Sequence, residues 1–494
     1  MLDRSRRSTE TELEHHSDFL QFFFSNVFND PHSTKQIEDC VGWGMETTAA
    51  TLIATEAAPQ LDAAAVRALA KRISCPTLVI QGTSDAICSH AGGAALAELT
   101  GGTLVSLEGV GHAPHARQPV KVNRLLRDFV CPAPPPRRGT SRRRKRALYI
   151  ASPIGLGHAQ RDLAVADELR RLHPDLEIDW LAQHPVTPVL EARAERIHPA
   201  SAHLASESHH IESEAAEHDL HCFQALRRMD EILLANFMVF HDLVGEAALT
   251  TDYNAEMIEQ IARYPRVRDR AIFVGNESDI VSDCFGAGLP PIREWTKAHY
   301  DLAGYVTGFD PAEFSDRERI RAELGDSPDE QVCIVPVGGS GVGQSLLRRV
   351  IHAYQPARQR VPNLRMIVVA GPRIDPATLP TYEGVEIRPY VHELYRHLPV
   401  CDLAVIQGGL TTAMELTANR RPFLYFPLRH HFEQNFHVRH RLQRYRAGRC
   451  MRYDLETSET IAAAIAEEIG RKTDYLPVEA DGAVRAAQLI AEIL

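Results

Sequence analysis

The stretch DLAVIQGGLTTAMEL, residues 402–416, decides the fold of most of the chain. Its apolar run predicts a buried strand, and Gly408 and Gly409 predict a sharp turn, because glycine adopts backbone conformations that other residues avoid. A helix follows, and its first turn has unpaired N–H groups at the positive end of the helix dipole. Such a helix start is an anion site suited to a diphosphate.

Glu415 lies one turn into this helix, and two interpretations of it stay open. Its carboxylate can accept hydrogen bonds from a sugar diol. Alternatively, Thr412-x-x-Glu415 has the pattern of a capping box, in which the two side chains only close the backbone at the helix start. The rest of the chain has to distinguish a ligand site from a well-capped helix.

The composition is that of a soluble globular protein. Of the 494 residues, 44% are hydrophobic and 24% are charged. A chain of this length is too long for one core, so roughly two to four domains are expected. The net charge of −11 argues against a general nucleic-acid binder, since such proteins present basic surfaces.

The sequence lacks the usual signals for export or membrane insertion. Residues 1–16 are dense in charge and have no apolar core of a signal peptide, and no apolar run is long enough to span a bilayer. The nine cysteines are scattered, without a C-x-x-C pair. We therefore expect a cytoplasmic protein with reduced thiols and no disulfide framework, zinc site or other metal.

The first part of the chain predicts helices over residues 13–60 and then two short strands, at residues 75–80 and 103–107. The first strand leads into Gly82-x-x-Asp85, and the second leads into Gly111-His112. An acid after one strand and a histidine after the next resembles the C-terminal third of the α/β-hydrolases.

This resemblance covers about residues 13–130, and we assign residues 1–130 to a partial α/β-hydrolase domain. It implies that Asp85 and His112 are the acid and the histidine of a catalytic triad. The nucleophile elbow of the family, G-x-S-x-G, does not occur in the sequence. Because an acid–histidine pair needs a nucleophile to act on, we expect the pair to be a family remnant and hydrolysis to be disfavoured.

Two parallel strands by themselves are a marginal sheet with exposed edges. We therefore expect this segment to dock on the rest of the chain, to pair with another chain or a second copy, or to be poorly ordered. A start codon assigned too late would also explain the truncation.

A linker rich in proline and arginine follows, residues 131–146. Prolines keep its first part extended, and charge repulsion keeps its second part open. The simpler interpretation is a solvated tether. The sharper hypothesis is that the basic segment from Arg137 to Arg146 holds the protein at the surface of an anionic membrane.

After the linker, strands and helices alternate. A strand at residues 148–151 leads into Gly155-x-Gly157-His158, and a helix is predicted from residue 163. This βαβ unit places a glycine loop at the carboxyl end of its first strand, where open α/β sheets bind ligands. The loop lacks the third glycine of a dinucleotide fingerprint, and His158 is either a functional group or a neighbour of the helix start.

Residues 200–265 are rich in Glu, His and Ala and predict helices. Their histidines have no spacing that pairs them with a carboxylate as metal ligands, so we expect solvated faces. These histidines are His203, His209, His210, His218 and His221.

A second α/β domain begins with a strand at residues 332–337, followed by the glycine loop 338–343 and a helix. The stretch 402–416 comes later, and a strand at residues 422–427 precedes Glu433-Gln434. The three motifs, in this order and spacing, resemble the GT-B glycosyltransferases. The resemblance is to the branch that includes UDP-glycosyltransferases and the peptidoglycan glucosaminyltransferase.

This resemblance covers about residues 147–494 and implies an α/β fold of two Rossmann-like domains that face a cleft. Residues 147–312 would be the acceptor domain, and residues 313–494 the nucleotide-sugar domain. The implied reaction moves a hexose-type sugar from a nucleotide diphosphate sugar, with a UDP-sugar as the expected donor, to an acceptor hydroxyl. The implied transfer uses no metal or cofactor, because a helix N-terminus stabilises the leaving diphosphate.

The resemblance also implies a role for individual residues. Glu415 would bind the ribose hydroxyls, and Glu433 and Gln434 the donor sugar. His158 would be the general base or an acceptor-binding group. The backbone contacts to the base come from Val391 and His392, and those to the diphosphate from Gly338, Gly339, Ser340, Gly341, Gly408, Gly409, Leu410 and Thr411.

The sequence departs from the family at two places. Gln407 stands where plant members have a histidine, so one phosphate contact is changed. Asp242–Asn254 is short and has no clear strand, although a strand of this region helps to build the acceptor side of the family.

Three other functions stay open. A sugar-nucleotide epimerase has the same two-domain fold but needs an acid–base set near the sugar carbon. An α/β-hydrolase activity lacks its serine. The third is a non-catalytic protein that binds nucleotide sugars without turning them over.

Overall fold

The computed structural model describes residues 16–29, 33–59, 61–130, 144–153, 155–204, 215–223, 245, 247–263, 269–339, 341–391 and 393–494. These residues form two compact units, 16–130 and 144–494. Residues 131–143 of the predicted linker lie outside the described ranges. Arg146, which we expected to end the linker, is already the first residue of a strand.

The first unit consists of short helices and one pair of strands. Its elements are α1 His16–Val27, α2 Thr34–Gly44, α3 Ala49–Glu56, α4 Ala63–Ala70, β1 Leu78–Gly82, α5 His90–Thr100, β2 Thr103–Leu107, α6 Pro114–Arg117 and α7 Pro119–Val130.

Strands β1 and β2 pair in parallel along their whole length and, within residues 16–130, form a two-stranded sheet. Leu107 and Val110 are buried against Val122 of α7. Other large apolar side chains of this unit are exposed, among them Trp43 (65%) and Val130 (71%). This unit therefore leaves part of its apolar surface exposed, as expected for a domain built on so small a sheet.

The second unit alternates strands and helices. Its elements are β3 Arg146–Ile150, α8 Leu156–Leu172, β4 Glu177–Leu181, α9 Thr187–Ala192, β5 Arg196–Ile197, β6 Ala215–Ala216, β7 Asp219–Leu220, α10 Ala247–Arg263, β8 Ile272–Val274, α11 Ile292–His299, β9 Asp301–Gly304, α12 Arg317–Leu324, β10 Gln331–Pro336, α13 Gln344–Arg360, β11 Leu364–Val369, β12 Val385–Arg388, α14 Leu394–His397, β13 Leu403–Ile406, α15 Leu410–Ala418, β14 Phe423–Tyr425, α16 Arg439–Tyr445, β15 Arg449–Cys450, α17 Ser458–Glu468 and α18 Gly482–Ala491.

The larger sheet of this unit has the strand order β12-β11-β10-β13-β14-β15, and all its pairs are parallel. Strand β13 is buried throughout, as the apolar run of the opening stretch predicts for a strand covered on both faces. The strand order reverses between β10 and β13. The loops after these two strands therefore meet at the switch point where such sheets bind ligands.

The N-terminal part of this unit has a parallel sheet of order β3-β4-β5. Helix α8 buries Ala159, Leu163 and Ala166 in the core beside it. The last helix, α18, joins the same core through Ala483 and Ala487. The sequence placed α18 in the C-terminal domain, but its small apolar face packs on the N-terminal one.

Two predicted elements differ from the structure. Helix α8 begins at Leu156, seven residues before the predicted start at residue 163, so His158 lies in its first turn. Residues 200–265 are not helical throughout, because β6 and β7 pair as an antiparallel hairpin. Both errors come from local composition, since glycines hide a helix start, and Ala and Glu have a high helix propensity that tertiary structure can override.

No helix among the described residues is long and apolar enough to cross a membrane.

Candidate functional site

The two-glycine turn after β13 opens the start of α15. Gly408 has φ +101°, a conformation that favours glycine. Gly409 is the N-cap residue of α15 and makes no side-chain cap, and a Cβ atom added to it would meet nothing within 4 Å. The N–H groups of Leu410 and Thr411, in the first turn, therefore face an open approach.

The capping-box interpretation of Glu415 is wrong. The helix starts after Gly409, not after Thr412, and no side chain caps it. Thr412 lies within the first turn, so Glu415 is one turn too far along the helix to close the backbone there.

Glu415 is instead a buried carboxyl group beside the glycine turn. Only 7% of the residue is exposed, and burial raises its pKa to about 8, although Arg161 opposes the shift. The group is therefore largely neutral at pH 7. A buried carboxyl of this kind gains from ligand hydroxyls that hydrogen-bond to it.

Arg161 is the electrostatic centre of the site. It lies on α8 and interacts with the carboxyl groups of Glu415, Glu433 and Asp162. Burial raises the pKa of Asp162 to about 7, and Arg161 partly offsets the rise. At pH 7, Glu415 is largely neutral and Asp162 is about half ionised, so these carboxyl groups only partly offset the attraction of the guanidinium for an anion.

Arg161 also sets the tautomer of His158. Its Nη2 donates a hydrogen bond to His158 Nδ1 over 3.1 Å. Because a guanidinium only donates, Nδ1 is the acceptor and the ring proton of neutral His158 lies on Nε2. The unprotonated nitrogen of His158 is therefore turned toward Arg161.

Glu433 brings the two predicted parts of the site together. Burial alone would raise its pKa, but His431, His158, Arg161 and His437 outweigh burial and hold the pKa below its ordinary value. Glu433 is thus an ionised carboxylate among cationic and imidazole groups. His158 of the N-terminal part and Glu433 of the C-terminal part lie close enough to interact.

Gln434 has a structural contact. Its side chain is buried, and its Oε1 accepts a hydrogen bond from the backbone N–H of Leu428 over 2.8 Å. It begins, with Glu433, a π-helical turn, Glu433–Val438. Gln434 therefore holds the loop after β14, and its contact to a donor sugar stays a prediction.

The glycine loops touch each other. A Cβ atom added to Gly157 would lie 2.4 Å from Thr411 Oγ1, and one added to Gly339 would lie 3.0 Å from Leu156 Cγ. The start of α8 thus packs against both loops at the switch point. A hydrogen bond joins the glycine loop 338–343 to the residue before the turn at Gly408, since Gln407 Nε2 donates to the carbonyl of Val342 over 3.3 Å.

The structure gives less detail on the other residues that the sequence predicts for the site. Gly338 has open space beside it, and Gly341 has φ +79°. Val391 follows β12 and is half-buried. Ser340 and His392 lie outside the described residues.

Sequence reasoning missed Arg161 and Tyr305. The hydroxyl of Tyr305 donates to the carbonyl of Thr411 over 3.4 Å, and burial raises its pKa. The signal for Arg161 was its position three residues after His158 on one helix, which places both on one face. No local signal marks Tyr305.

A cavity of about 770 Å³ opens at the carboxyl end of β4. Gln183, His184 and Ser201 line its N-terminal side, and Arg373 of the C-terminal part lines the other. Arg373 Nη2 donates to the carbonyl of His184 over 3.2 Å. The cavity is large enough for a drug-sized ligand.

In the first unit, Asp85 and His112 form the pair that the sequence predicts. His112 Nδ1 lies 3.0 Å from Asp85 Oδ2. Asp85 also accepts hydrogen bonds from the backbone N–H groups of Ile87 and Cys88, both 2.8 Å. Burial would raise the pKa of Asp85, but these contacts hold it below its ordinary value.

Comparison with known families matches both parts of the chain. Residues 333–493 match the glycosyltransferase family 28 C-terminal domain, and residues 25–142 match the TAP-like protein family of α/β-hydrolases. These matches confirm the two predicted resemblances and, with the parallel sheets, the predicted fold class.

One curated relative is the UDP-N-acetylglucosamine–N-acetylmuramyl-(pentapeptide) pyrophosphoryl-undecaprenol N-acetylglucosamine transferase of Carboxydothermus hydrogenoformans. It is 30% identical over 117 residues, which are 23% of this chain and 31% of the relative. The chain thus matches about a third of the length of this relative.

Solved glycosyltransferase structures also match, at low identity. The kitacinnamycin glycosyltransferase is 14% identical with a TM-score of 0.43, over 71% of this chain and 99% of that one. The glycosyltransferase SnogD from Streptomyces nogalater is 16% identical with a TM-score of 0.41, over 70% of this chain and all of that one.

Proposed function

We propose that the chain is a glycosyltransferase that moves a hexose-type sugar from a UDP-sugar to an acceptor hydroxyl without a metal. The observation that carries this proposal is that His158 and Arg161, near the start of α8, interact with each other and with Glu433. Gly157, beside His158, packs against Thr411 in the first turn of α15. The family match over residues 333–493 supports the reaction class. The name of the curated relative favours UDP as the nucleotide.

In this proposal, the diphosphate binds at the first turn of α15. The N–H groups of Leu410 and Thr411 and the guanidinium of Arg161 stabilise its charge as the bond to the sugar breaks. Glu415 binds the ribose hydroxyls, and Glu433 binds hydroxyls of the donor sugar. A helix start and a guanidinium together supply the positive charge that a metal ion provides in other enzymes.

His158 takes the proton of the acceptor hydroxyl as that oxygen attacks the anomeric carbon. Arg161 now donates to His158 Nδ1. When Arg161 turns to the diphosphate, Nδ1 is released and the imidazole has a free basic nitrogen. Donor binding would thus prepare the base, and the nucleoside diphosphate leaves as the new glycosidic bond forms.

The acceptor would enter through the cavity at the end of β4. Its lining combines polar groups, such as Gln183 and Ser201, with apolar ones, such as Ile197. This mixture suits an acceptor with a hydroxyl on a larger apolar body.

Two partner proposals accompany this function. Membrane contact would depend on residues 137–143, because Arg144 and Arg146 already pair with Glu177 and Asp179. Co-sedimentation with anionic vesicles, before and after neutralising residues 137–143, tests it. Self-association through β1 and β2 is tested by the mass in solution across a concentration series.

The reaction is tested by incubating the protein with UDP- and dTDP-sugars and following nucleotide release with and without candidate acceptors. Release that depends on an acceptor supports the proposal. An isomerised donor would instead indicate an epimerase, and ester cleavage would indicate a hydrolase that uses Asp85 and His112.

A second candidate is nucleotide-sugar binding without turnover. The contact of Gly157 with Thr411 favours it, because it narrows the approach to the start of α15. UDP binding without sugar transfer to any acceptor of the panel would support this candidate.

A further inference from the structure

A second cavity lies at the carboxyl ends of β14 and β15, apart from the glycine loops. Its volume is about 410 Å³. None of the described residues predicted to bind the donor lines it. It is lined by Glu217, His218, Arg349, Pro427, Arg429, His430, Asn435, Arg439, Cys450, Met451, Arg452, Tyr453 and Asp454.

The charge of the lining is predominantly positive. Four arginines face two carboxylates, Glu217 and Asp454. Arg452 pairs with Asp454 over 2.9 Å, while Arg439 adds a further guanidinium at the cavity. Several guanidinium groups around one cavity are the arrangement that recognises phosphate.

One wall is held in place by stacking. Arg349 lies over the ring of Tyr453, 3.5 Å from its centroid, and His218 stacks on Tyr453 with centroids 4.1 Å apart. Arg349 also donates to the backbone carbonyl of Glu456 over 3.2 Å. A positive group is therefore fixed at this wall before any ligand binds.

His218 adds a buried hydrogen-bond acceptor to the positively charged lining of the cavity. It is 3% exposed, and its Nε2 lies 3.0 Å from the carbonyl of Phe426, so Nε2 carries the proton and Nδ1 is an acceptor. Among the described residues, Nδ1 has no hydrogen-bond partner. A buried acceptor without a donor is costly. Nδ1 has almost no accessible surface, so a ligand hydroxyl supplies the donor when the side chains around Nδ1 shift to admit it.

We infer that this cavity binds a small phosphorylated polyol, the chemical class of the sugar phosphates. The phosphate would bind the guanidinium groups of Arg439 and Arg452, and a hydroxyl would donate to His218 Nδ1. The cavity volume lies at the lower end of the range of small-molecule sites, which suits a ligand of this size.

A metal ion is the competing occupant. Asp219, His221 and His430 hold potential ligand atoms within 4.8 Å of one another, although the sequence predicted no metal ligands among the histidines of this region. However, His430 Nδ1 already bonds to Asp219 Oδ1 over 2.9 Å, and Arg429 Nε bonds to Asp219 Oδ2 over 3.1 Å. The arginines would repel a cation, so the structure favours the anion.

Isothermal titration calorimetry of the full chain tests the inference with four probes: glucose 6-phosphate, sulfate, glucose and Zn²⁺. The titrations are made with the nucleotide cleft saturated by UDP. We expect glucose 6-phosphate to bind, sulfate to bind more weakly because it has no hydroxyl donor, and glucose not to bind. UDP alone is titrated as well. If it binds at two sites and the double variant Arg439→Gln/Arg452→Gln loses one of them, the phosphorylated polyol that binds in this cavity is a nucleotide.

The double variant Arg439→Gln/Arg452→Gln should weaken glucose 6-phosphate binding by about tenfold or more, because two charge-assisted contacts are lost. The matched control is Arg471→Gln/Arg319→Gln, which removes the same charge from exposed positions of the same unit and should bind like the wild type. His218→Phe keeps the stacking on Tyr453 and should reduce the preference for glucose 6-phosphate over sulfate.

Equal affinity of the arginine variant and its control for glucose 6-phosphate would overturn the inference. The inference would also be overturned if glucose 6-phosphate produces no heat and Zn²⁺ binds to the wild type but not to His221→Gln. Thermal unfolding of each variant without ligand shows whether it is folded, so that lost binding is not confused with lost structure.

Discussion

At the scale of single residues, the site depends on charges that are held close together and away from water. Glu415, Asp162 and Glu433 all lie near Arg161. Burial raises the pKa of Glu415 to about 8 and that of Asp162 to about 7, whereas imidazole groups and Arg161 keep Glu433 ionised. The same residue type therefore has different chemistry at three neighbouring positions.

We predict that Glu415→Ala weakens UDP binding by about 1–3 kcal/mol, because hydrogen bonds from the ribose hydroxyls are lost. Calorimetric titration with UDP measures the change. Thr417→Ala removes another buried polar side chain of α15 and should leave UDP affinity unchanged. A Glu415→Ala protein that binds UDP like the wild type would refute the ribose assignment.

The pH dependence of stability follows from the same carboxyl group. The pKa of Glu415 is raised to about 8 in the folded protein, so the folded state holds a proton that the unfolded state loses above its ordinary pKa of 4.5. Stability should therefore fall as pH rises through this window, by up to roughly 1.4 kcal/mol per pH unit.

Glu415→Gln should flatten this decrease, because glutamine has no proton to lose. Denaturant unfolding at pH 5, 6, 7 and 8, with the wild type beside the variant, measures the slopes. Parallel slopes would show that Glu415 ionises in the folded protein as freely as in water.

His158→Asn should lower kcat by about 100- to 10,000-fold, because the proton acceptor is lost, and should leave UDP affinity close to that of the wild type. Transfer assays and UDP titration give the two values. The outcome that contradicts the base assignment is an unchanged kcat.

Arg161→Gln should give the complementary result, a higher donor KM and weaker UDP binding, since the guanidinium stabilises the diphosphate. Arg171→Gln is the matched control, because Arg171 lies on the same helix, is exposed and pairs with Glu168. If both variants bind UDP equally, Arg161 has only a structural role.

At the scale of elements, the start of α8 packs against the start of α15, with Gly157 against the side chain of Thr411. Gly157 approaches Thr411 so closely that one methyl group does not fit, because it would lie 2.4 Å from Thr411 Oγ1. Gly155, two residues earlier, has its nearest neighbour, His158 Cδ2, at 3.8 Å. The space around the backbone therefore excludes a side chain at Gly157 but not at Gly155.

We predict that Gly157→Ala destabilises the second unit by about 1–3 kcal/mol, whereas Gly155→Ala has little effect. Adding Thr411→Ala to Gly157→Ala removes the clashing oxygen and should restore part of the loss. Chemical denaturation of the single and double variants measures this. Equal effects of the two glycine variants would disprove the close approach.

At the scale of the whole molecule, each compact unit has its own core, and the core of the second unit does not follow the order of the chain. Its last helix, α18, packs in the N-terminal core beside α8. The motifs of the C-terminal sheet therefore depend on a chain end that returns to the other half of the unit.

We expect Ala487→Glu to destabilise the second unit on the order of 3 kcal/mol or more, because it buries a charge without a partner. Val484→Glu, on the exposed side of the same helix, is the control and should change little. Thermal unfolding followed by circular dichroism compares them. Similar melting of the two variants would show that α18 is not part of the core.

The sequence predicted the elements that short patterns control. The apolar run of residues 403–406 and the two glycines after it specified β13, its turn and α15, and the Gly82-x-x-Asp85 and Gly111-His112 motifs specified a pair that the structure forms. Periodicity and glycine conformation act over a few residues, so they can be recognised without the fold.

Tertiary structure alone decided the rest. It gave Arg161 a hydrogen bond to His158 and an electrostatic interaction with Glu415 and Glu433. It also packed α18 on α8, replaced part of a predicted helical region with the β6–β7 hairpin, and formed the arginine-lined cavity. These features depend on burial and on charges that are distant in the chain and meet only in the folded protein. No local pattern carries that information, because the pKa of a carboxyl group and the shape of a cavity are properties of neighbours in space.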